Sequence, residues 1–202
     1  MSLPELREPA FPIVVSGPSG VGKTVLCKGL LDRLPEITCR SISTTTRSIR
    51  PGEVEGVSYR FVSEGDFLAS RDAGELAEWA EVHGRYYGTP KSFLDERLAA
   101  SQSVVLNIDV QGGVSIQNCY PDAVLIFVLP PSWDVLAERL SRRGTDSRSS
   151  VEARLNRARA EVEYCPRYGY VVVNDDLDRA VSDLVAIVTA ERLRAGRRRV
   201  DA

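Results

Sequence analysis

The stretch that decides the fold reads Phe11-Pro12-Ile13-Val14-Val15-Ser16-Gly17-Pro18-Ser19-Gly20-Val21-Gly22-Lys23-Thr24. Its apolar start predicts a buried strand over Phe11–Ser16, and its second half matches the pattern G-x-x-x-x-G-K-[ST]. A helix predicted over Lys23–Leu34 follows, and Pro35 ends it. Glycines allow backbone N–H groups to converge on phosphate oxygens, and the helix turns its positive end toward the same point. The stretch therefore predicts a nucleotide-binding loop between a strand and a helix.

Each residue of this loop is a candidate ATP contact. The set comprises Gly17, Pro18, Ser19, Gly20, Val21, Gly22, Lys23 and Thr24. Lys23 is expected to reach the β- and γ-phosphates, and the Thr24 hydroxyl to ligate Mg²⁺, the predicted cofactor. Such a loop also occurs in motors, switches and transporter subunits, so the rest of the chain has to decide the function.

Apolar strands alternate with helical segments, which predicts an α/β fold with a parallel sheet. The predicted strands are Phe11–Ser16, Ile37–Ile42, Val104–Ile108, Ala123–Leu129 and Tyr170–Val173. The predicted helices are Lys23–Leu34, Pro90–Ala100, Ser132–Arg142, Val151–Tyr164 and Asp178–Arg194. Thr89 and Ser132 are the expected N-caps of the second and third, with Pro90 as a first helical residue.

Composition narrows the classes of partner. The chain has 202 residues and a net charge of −2, so its overall field gives no reason to expect nucleic acid or an acidic membrane as partner. No apolar run is long enough to serve as a signal peptide or to span a bilayer, and we expect a cytoplasmic protein. Its four cysteines show no shared spacing and are interpreted as reduced thiols. Oligomeric state stays open.

Three segments differ from the alternating pattern. Thr44 to Gly88 is rich in Arg, Glu, Gly and Tyr, with strand-like pieces at Tyr59–Val62 and Leu76–Val82, and is interpreted as an insertion outside the parallel sheet. Arg142–Ser150 has the polar, glycine-containing composition of a mobile lid. Arginines crowd the end of the chain, where a frayed, solvated tail or a phosphate-binding arm would explain them: Arg192, Arg194, Arg197, Arg198 and Arg199.

Several segments resemble the signatures of guanylate kinases, in family order and over about Ile13 to Asp178. They are Ser41–Phe61, Glu78–Thr89, Asn107–Gly112, Arg139-Leu140 through Arg143-Gly144-Thr145, Arg154-Leu155 and Val173–Asp178. The resemblance implies a P-loop nucleoside monophosphate kinase-like fold, with a five-stranded parallel sheet and helices on both faces. It divides the chain into a core (11–43, 90–141 and 155–195), a GMP-binding insertion (44–89), a short lid (142–154) and a basic tail (196–202).

Base recognition is the first role that the resemblance implies. Guanine offers two adjacent donors, N1–H and N2–H₂, and a carboxylate accepts both, whereas adenine presents an acceptor at N1. By resemblance Glu78 is that carboxylate, with Ser43, Thr89 and Asp109 completing the site.

The acceptor phosphate needs cationic and hydroxyl donors on a rigid frame. Arg47, Arg50, Tyr59 and Tyr87 match the family's phosphate-binding positions, and Glu53 is assigned to the same GMP site. Solvated arginines and core tyrosines would explain each residue singly but not their joint appearance.

Transfer itself needs alignment and charge neutralisation. The acceptor phosphate is already largely dianionic at neutral pH, so no general base is required and His83 is interpreted as structural. Lys23, Arg47, Arg143 and Arg154 are the predicted catalytic residues. Arg139 and Asn174 are predicted to bind ATP.

The chain departs from the family pattern at Asn107, where an acid is common. We expect Asn107 to retain the hydrogen bonding with less charge, so that activity persists.

The resemblance implies an enzyme that transfers the γ-phosphoryl group of MgATP to GMP, and to dGMP, giving ADP and GDP in purine nucleotide metabolism. Two alternatives stay open at this point. One is a non-catalytic guanylate-kinase-like module that binds a phosphorylated peptide, and the other is a P-loop kinase for another small phosphate acceptor.

Overall fold

The computed structural model describes residues 8–82, 84–141 and 148–198, with the backbone alone for Arg148 and Ser149. The strands are β1 Pro12–Ser16, β2 Thr38–Arg40, β3 Thr44–Thr45, β4 Arg60–Phe61, β5 Leu76–Val82, β6 Arg85–Pro90, β7 Ser103–Asn107, β8 Val124–Leu129 and β9 Tyr170–Val173. The helices are α1 Lys23–Arg33, α2 Glu64–Asp72, α3 Lys91–Ala99, α4 Val110–Cys119, α5 Trp133–Ser141, α6 Arg148–Val162 and α7 Leu177–Leu193.

Five parallel strands form the main sheet in the order β2-β7-β1-β8-β9. β1 lies at its centre, where Val14 pairs with Leu106 of β7 and with Leu125 of β8. This arrangement confirms the predicted five-stranded parallel sheet.

Helices cover both faces of this sheet, which explains why residues 12–15 of β1 are all apolar. Alternate side chains of a strand point to opposite faces. Ile13 and Val15 join the cluster that includes residues of α1 and α7, and Val14 joins the cluster that includes Leu94 of α3 and Ile116 of α4. All three β1 side chains are fully buried.

A second, four-stranded sheet is built from residues 44–90, in the order β4-β3-β6-β5. β5 and β6 form an antiparallel hairpin in which Glu78 pairs with Thr89, next to a β-bulge after Leu76. Neither β6 nor α2 was predicted from the sequence.

The helices differ from the predictions in the start of α3, in the start of α6 and in the presence of α4, while other ends shift by one or two residues. Pro90 ends β6 and caps α3, which begins at Lys91, because Thr89 belongs to the strand and uses its hydroxyl elsewhere. α6 begins at Arg148, so the last part of the polar segment Arg142–Ser150 is helical. α4, capped by Asp109, was not predicted at all.

The C-terminal arginines dock on the protein as far as the structure describes them, so the prediction of a frayed tail is wrong for this part. Arg192 pairs with Glu8 at 2.6 Å, and Arg197 pairs with the buried Glu191 at 2.7 Å. Arg199 lies outside the described residues. Among the helices that the structure describes, none is both long and apolar enough to cross a membrane.

Candidate active site

The loop after β1 has the shape needed for an anion cradle. Gly17, Gly20 and Gly22 adopt φ values of 140°, 87° and 101°, which side-chain-bearing residues rarely adopt. A Cβ atom at Gly17 would also lie 2.2 Å from the carbonyl oxygen of Val128. Both constraints explain why glycine stands at these positions.

Lys23 lies within this loop and is mostly buried. Its Nζ donates to the carbonyl oxygens of Gly17 and Pro18, at 2.5 and 3.1 Å. Burial lowers the pKa of Lys23, and the negative charge of Glu161 acts against that shift. The loop therefore holds a mostly buried cation whose charge Glu161 and Asp109 partly balance.

A cavity of about 420 Å³ opens above the loop. Its described lining comprises Gly17, Ser19, Gly20, Gly22, Lys23, Thr24, Val25, Asn107, Ile108, Asp109 and Glu161. Asn107, Ile108 and Asp109 come from the carboxyl end of β7, so the cavity lies at the edge of the sheet where α/β proteins bind ligands.

Two residues predicted to contact ATP, Asn174 and Arg139, form hydrogen bonds to the backbone of the loop. Asn174 is buried, and its Nδ2 donates to the carbonyl oxygen of Val21 at 2.7 Å. Arg139 donates to the carbonyl oxygens of Val21 and Asn174, at 3.4 and 3.1 Å. Both residues therefore stabilise the conformation of the loop.

Asn107 contacts the proposed metal-binding hydroxyl. Its Nδ2 donates to Oγ1 of Thr24 at 3.1 Å, so the contact joins the carboxyl end of β7 to the first turn of α1. The side-chain amide of Asn107 therefore makes a hydrogen bond to the loop; that activity persists with this residue stays a prediction.

Glu78 is a buried carboxylate, 8% exposed, on the inserted sheet. Thr89 Oγ1 donates to its Oε1 at 2.6 Å, and the strand pairing that places these residues opposite each other fixes the contact. Burial raises the pKa of Glu78 to about 7, and the Thr89 hydrogen bond only partly offsets this. A carboxylate held in this way is ready to accept donors from a ligand.

Asp109 connects the inserted sheet with the cradle. It lines the cavity, and its Oδ1 accepts from the Gly112 N–H at 2.8 Å, capping α4. Its negative charge also contributes to the raised pKa of Glu78. A Cβ atom at Gly112 would lie 3.1 Å from Glu78 Oε2, so the missing side chain brings α4 close to that carboxylate.

Arg47 is held in a defined orientation on the insertion. Its guanidinium forms two hydrogen bonds to Glu53, at 2.7 and 3.0 Å, and lies over the Tyr59 ring at 5.4 Å from the centroid. The hydrogen bonds from Arg47 lower the pKa of Glu53, and those to Glu53 raise the pKa of Arg47. Tyr87 packs edge-on against Tyr59.

The structure brings the predicted residues together as two groups. The loop residues meet Asp109 and Arg154, whose Nη2 donates to Ser19 Oγ at 3.2 Å. Glu78, Thr89 and the Arg47 cluster belong to the inserted sheet. Arg50 is exposed and Ser43 is half-buried in the connection to β3. Arg143 and His83 lie outside the described residues.

Sequence reasoning missed Glu161 and the glycines of α4. Glu161 follows Arg154 by seven residues, two helical turns, so helical periodicity was a signal for a shared face. Gly113 was a weaker signal: a Cβ atom there would lie 2.4 Å from the Tyr168 hydroxyl, a contact that tertiary packing alone creates.

A phosphate loop at the carboxyl edge of a parallel sheet, beside an inserted sheet with a buried carboxylate, defines a P-loop kinase of the nucleoside monophosphate kinase type. The guanylate kinase family model matches residues 10–191. The guanylate kinase of Myxococcus xanthus is 49% identical over 194 residues, which cover 96% of this chain and 91% of that protein. That of Aromatoleum aromaticum is 47% identical over 92% of this chain and 91% of that protein.

A solved structure agrees with these relatives. The crystal structure of guanylate kinase from Anaplasma phagocytophilum superposes with a TM-score of 0.75 at 33% identity, over 96% of this chain and 92% of that one. The chain belongs to the guanylate kinase family, as the sequence predicted, and its activity is that of an ATP:GMP phosphotransferase.

Proposed function

We propose that this chain transfers the γ-phosphoryl group of MgATP to GMP in the cytoplasm, giving ADP and GDP, and that it also accepts dGMP. The observation that carries the assignment of the site is the buried carboxylate of Glu78, held by Thr89 and close to Asp109 at the rim of the phosphate cavity.

Guanine recognition is assigned to Glu78, Thr89, Asp109 and Ser43. The free oxygen of a carboxylate and its remaining lone pairs accept N1–H and N2–H₂ together. The close approach of Gly112 limits the space beside Glu78. Adenine would place an acceptor against a carboxylate, which disfavours AMP by roughly 1–3 kcal/mol or more.

The acceptor phosphate is assigned to Arg47, Arg50, Tyr59 and Tyr87. The pairing with Glu53 orients the planar guanidinium of Arg47 before the acceptor arrives, and its remaining N–H groups are donors for phosphate oxygens. Both assigned groups of contacts go to base and phosphate, so the ribose 2′-hydroxyl is not needed and dGMP is accepted.

The donor phosphates are assigned to the loop Gly17–Thr24, with Lys23 as the cation on the β- and γ-phosphates. Arg139 and Asn174 support the loop and form the ATP side of the site. The hydroxyl of Thr24 and the neighbouring oxygens of Asn107 and Asp109 fit Mg²⁺, which prefers few protein ligands together with phosphates and waters. Bound there, Mg²⁺ neutralises charge on the phosphates.

Transfer requires that two anions approach in line. Because the acceptor oxygen is already charged, no residue has to remove a proton. Lys23, Arg47, Arg143 and Arg154 supply the positive charge, and Arg154 already contacts the loop through Ser19. An arginine in such a role contributes about 10³–10⁵ in rate in related P-loop enzymes.

Closure of the site is assigned to the two segments that differ from the core, the insertion 44–89 and the lid 142–154. Movement of both toward the loop brings the acceptor to the donor and excludes water, which limits ATP hydrolysis. The phosphopeptide module and the kinase for another acceptor have no support in the relatives matched above.

An acceptor panel tests the proposal. ADP formation is measured with GMP, dGMP, AMP, CMP and a sugar phosphate, and Lys23→Ala serves as the inactive control. We expect turnover with GMP and dGMP alone, reduced by at least about 10²-fold in the control. Turnover with the sugar phosphate alone contradicts the acceptor assignment, and no turnover with any acceptor favours the binding module.

A further inference from the structure

We propose that Glu161 is an internal competitor for the donor phosphates: its carboxylate lines the phosphate cavity and its charge opposes the binding of ATP. The proposal rests on the ATP site assigned above and concerns a residue to which that assignment gives no role.

Position is the first argument. Glu161 lies near the C-terminal end of α6, yet its side chain lines the same cavity as Gly17, Gly22 and Lys23. Burial raises the pKa of its carboxyl group, and a hydrogen bond from the Ser19 backbone N–H partly offsets that shift. Backbone N–H groups of this loop are the donors that phosphate oxygens use, so the carboxylate makes a contact that belongs to the ligand.

The geometry of α6 determines where the Glu161 side chain lies. Arg154 and Glu161 are seven residues apart and therefore lie on one helix face. Both meet the same loop residue, since Arg154 Nη2 donates to Ser19 Oγ while Glu161 faces the Ser19 N–H. The buried Ala158 lies between them in sequence and packs with Leu136 and Leu140 of α5.

The negative charge of Glu161 should affect how nucleotides bind. The negative charge of Glu161 acts directly on Lys23, and no other group acts more strongly on that cation by charge alone. A carboxylate beside a polyphosphate is repelled, and the repulsion is stronger in a partly buried site than in bulk water. ATP therefore binds against the carboxylate, and the same repulsion favours the release of ADP after transfer.

Glu161→Gln tests the proposal because it keeps the size and hydrogen-bonding capacity and removes the charge. Binding of inorganic tripolyphosphate, and of ADP with the metal chelated, is measured by calorimetry at low and high salt. We expect the variant to bind both about tenfold more tightly at low salt, with a smaller difference at high salt because ions screen the repulsion. The KM for ATP and kcat should fall together, and the KM for GMP should stay within about twofold.

Glu163→Gln is the matched control, because Glu163 is exposed just beyond α6 and does not belong to the described lining of the cavity. It should bind both probes as the parent does. Glu161→Asp withdraws the charge by one methylene and should give an intermediate affinity, which preserves the test if the glutamine variant folds poorly.

The outcomes are separable. Unchanged or weaker binding by Glu161→Gln, with normal binding by the parent, overturns the competitor role and leaves the ATP site intact. If the parent binds neither probe, the ATP assignment fails, and the inference falls with it.

Discussion

Glu78, to which guanine recognition is assigned, should also give GMP binding a pH response. Because burial raises its pKa to about 7, the protonated form becomes more populated as the pH falls. Only the ionised form accepts both guanine donors, so acidification removes the competent form, and the sign of the effect is a weaker affinity for GMP at lower pH.

The KM for GMP should therefore rise by about tenfold between pH 8 and pH 6. Glu78→Gln should raise it by roughly 10- to 100-fold at pH 8, because an amide accepts one donor and opposes the other with its own N–H. The variant should keep only the smaller pH dependence of the GMP phosphate. Steady-state kinetics across this range check both; parallel pH profiles of the two proteins contradict the role of Glu78.

Asn107 yields a prediction about the metal. Because its amide donates to Thr24 Oγ1, it uses a lone pair of the oxygen proposed to bind Mg²⁺. Asn107→Asp would instead accept the Thr24 proton and free that lone pair. We expect half-maximal activity at a lower Mg²⁺ concentration, with kcat raised by no more than about tenfold.

Titration of activity with Mg²⁺ at saturating nucleotide measures this effect. Asn107→Ala is the companion variant: it also frees the Thr24 lone pair, but it removes the side-chain oxygen proposed to lie beside Mg²⁺, and it should lower kcat by about tenfold. A gain of several orders of magnitude in Asn107→Asp would show that the natural asparagine impairs the site.

At the scale of elements, the inserted sheet presents a preformed arginine. Glu53→Gln removes the charge that orients Arg47 and keeps a hydrogen-bond acceptor. The KM for GMP should rise about three- to tenfold while the KM for ATP stays unchanged, because the loop Gly17–Thr24 is built from other elements. Glu81→Gln, an exposed change on β5, is the control and should leave both constants unchanged.

Little change in Tm is expected for Glu53→Gln, since partly exposed ion pairs contribute little to folding. An equal rise in both KM values, or a large loss of Tm, would assign Glu53 a structural role instead.

Elements defined by local patterns were predictable from sequence. The run Phe11–Ser16 and the glycine loop encode their conformations in a few residues, and β1 and α1 follow within one or two positions. α4 was missed because its two glycines and several β-branched residues are poor helix formers. Packing against Glu78 and Tyr168 requires those glycines, and such packing is not visible in a local window.

In the candidate site too, the sequence predicts what a local motif specifies and does not predict what depends on tertiary packing. The resemblance proposed Arg47 and Glu53 for one site, but their mutual pairing depends on the turn of the loop between them. Asn174 was expected near ATP, while its contact with Val21 depends on how β9 lies beside the loop. Residues were thus predictable where a motif specifies them, and their contacts were not.

At the scale of the whole molecule, the C-terminal segment packs at the amino ends of β1 and β8. The candidate site lies at the opposite, carboxyl ends of the strands. Arg197 bonds to Glu191 and to the carbonyl oxygen of Asp122, and lies over the Phe11 ring at 4.5 Å. Burial by itself raises the pKa of Glu191, but hydrogen bonds from Tyr170 and Arg197 outweigh it and lower the pKa.

Arg197→Ala should destabilise the fold by about 2–4 kcal/mol, because it leaves a buried carboxylate without its main cationic partner. Urea unfolding measures the loss in the free energy of unfolding. The value of kcat should stay unchanged because the site lies at the opposite ends of the strands. Arg194→Ala removes a side chain that is 67% exposed and 3.6 Å from the same carboxylate, and should cost less than about 0.5 kcal/mol. Equal losses of stability in the two variants would contradict the role of Arg197 as the main cationic partner of Glu191.

Asp109 lies between the two sites proposed for the substrates. Its side chain caps the helix beside Glu78, and the same residue borders the phosphate loop, where Ser16 Oγ donates to its carbonyl oxygen at 3.2 Å. A redesign that exchanges guanine for another base has to leave this aspartate in place and act through Glu78 and Thr89, because any shift of Asp109 would be felt by the donor nucleotide as well.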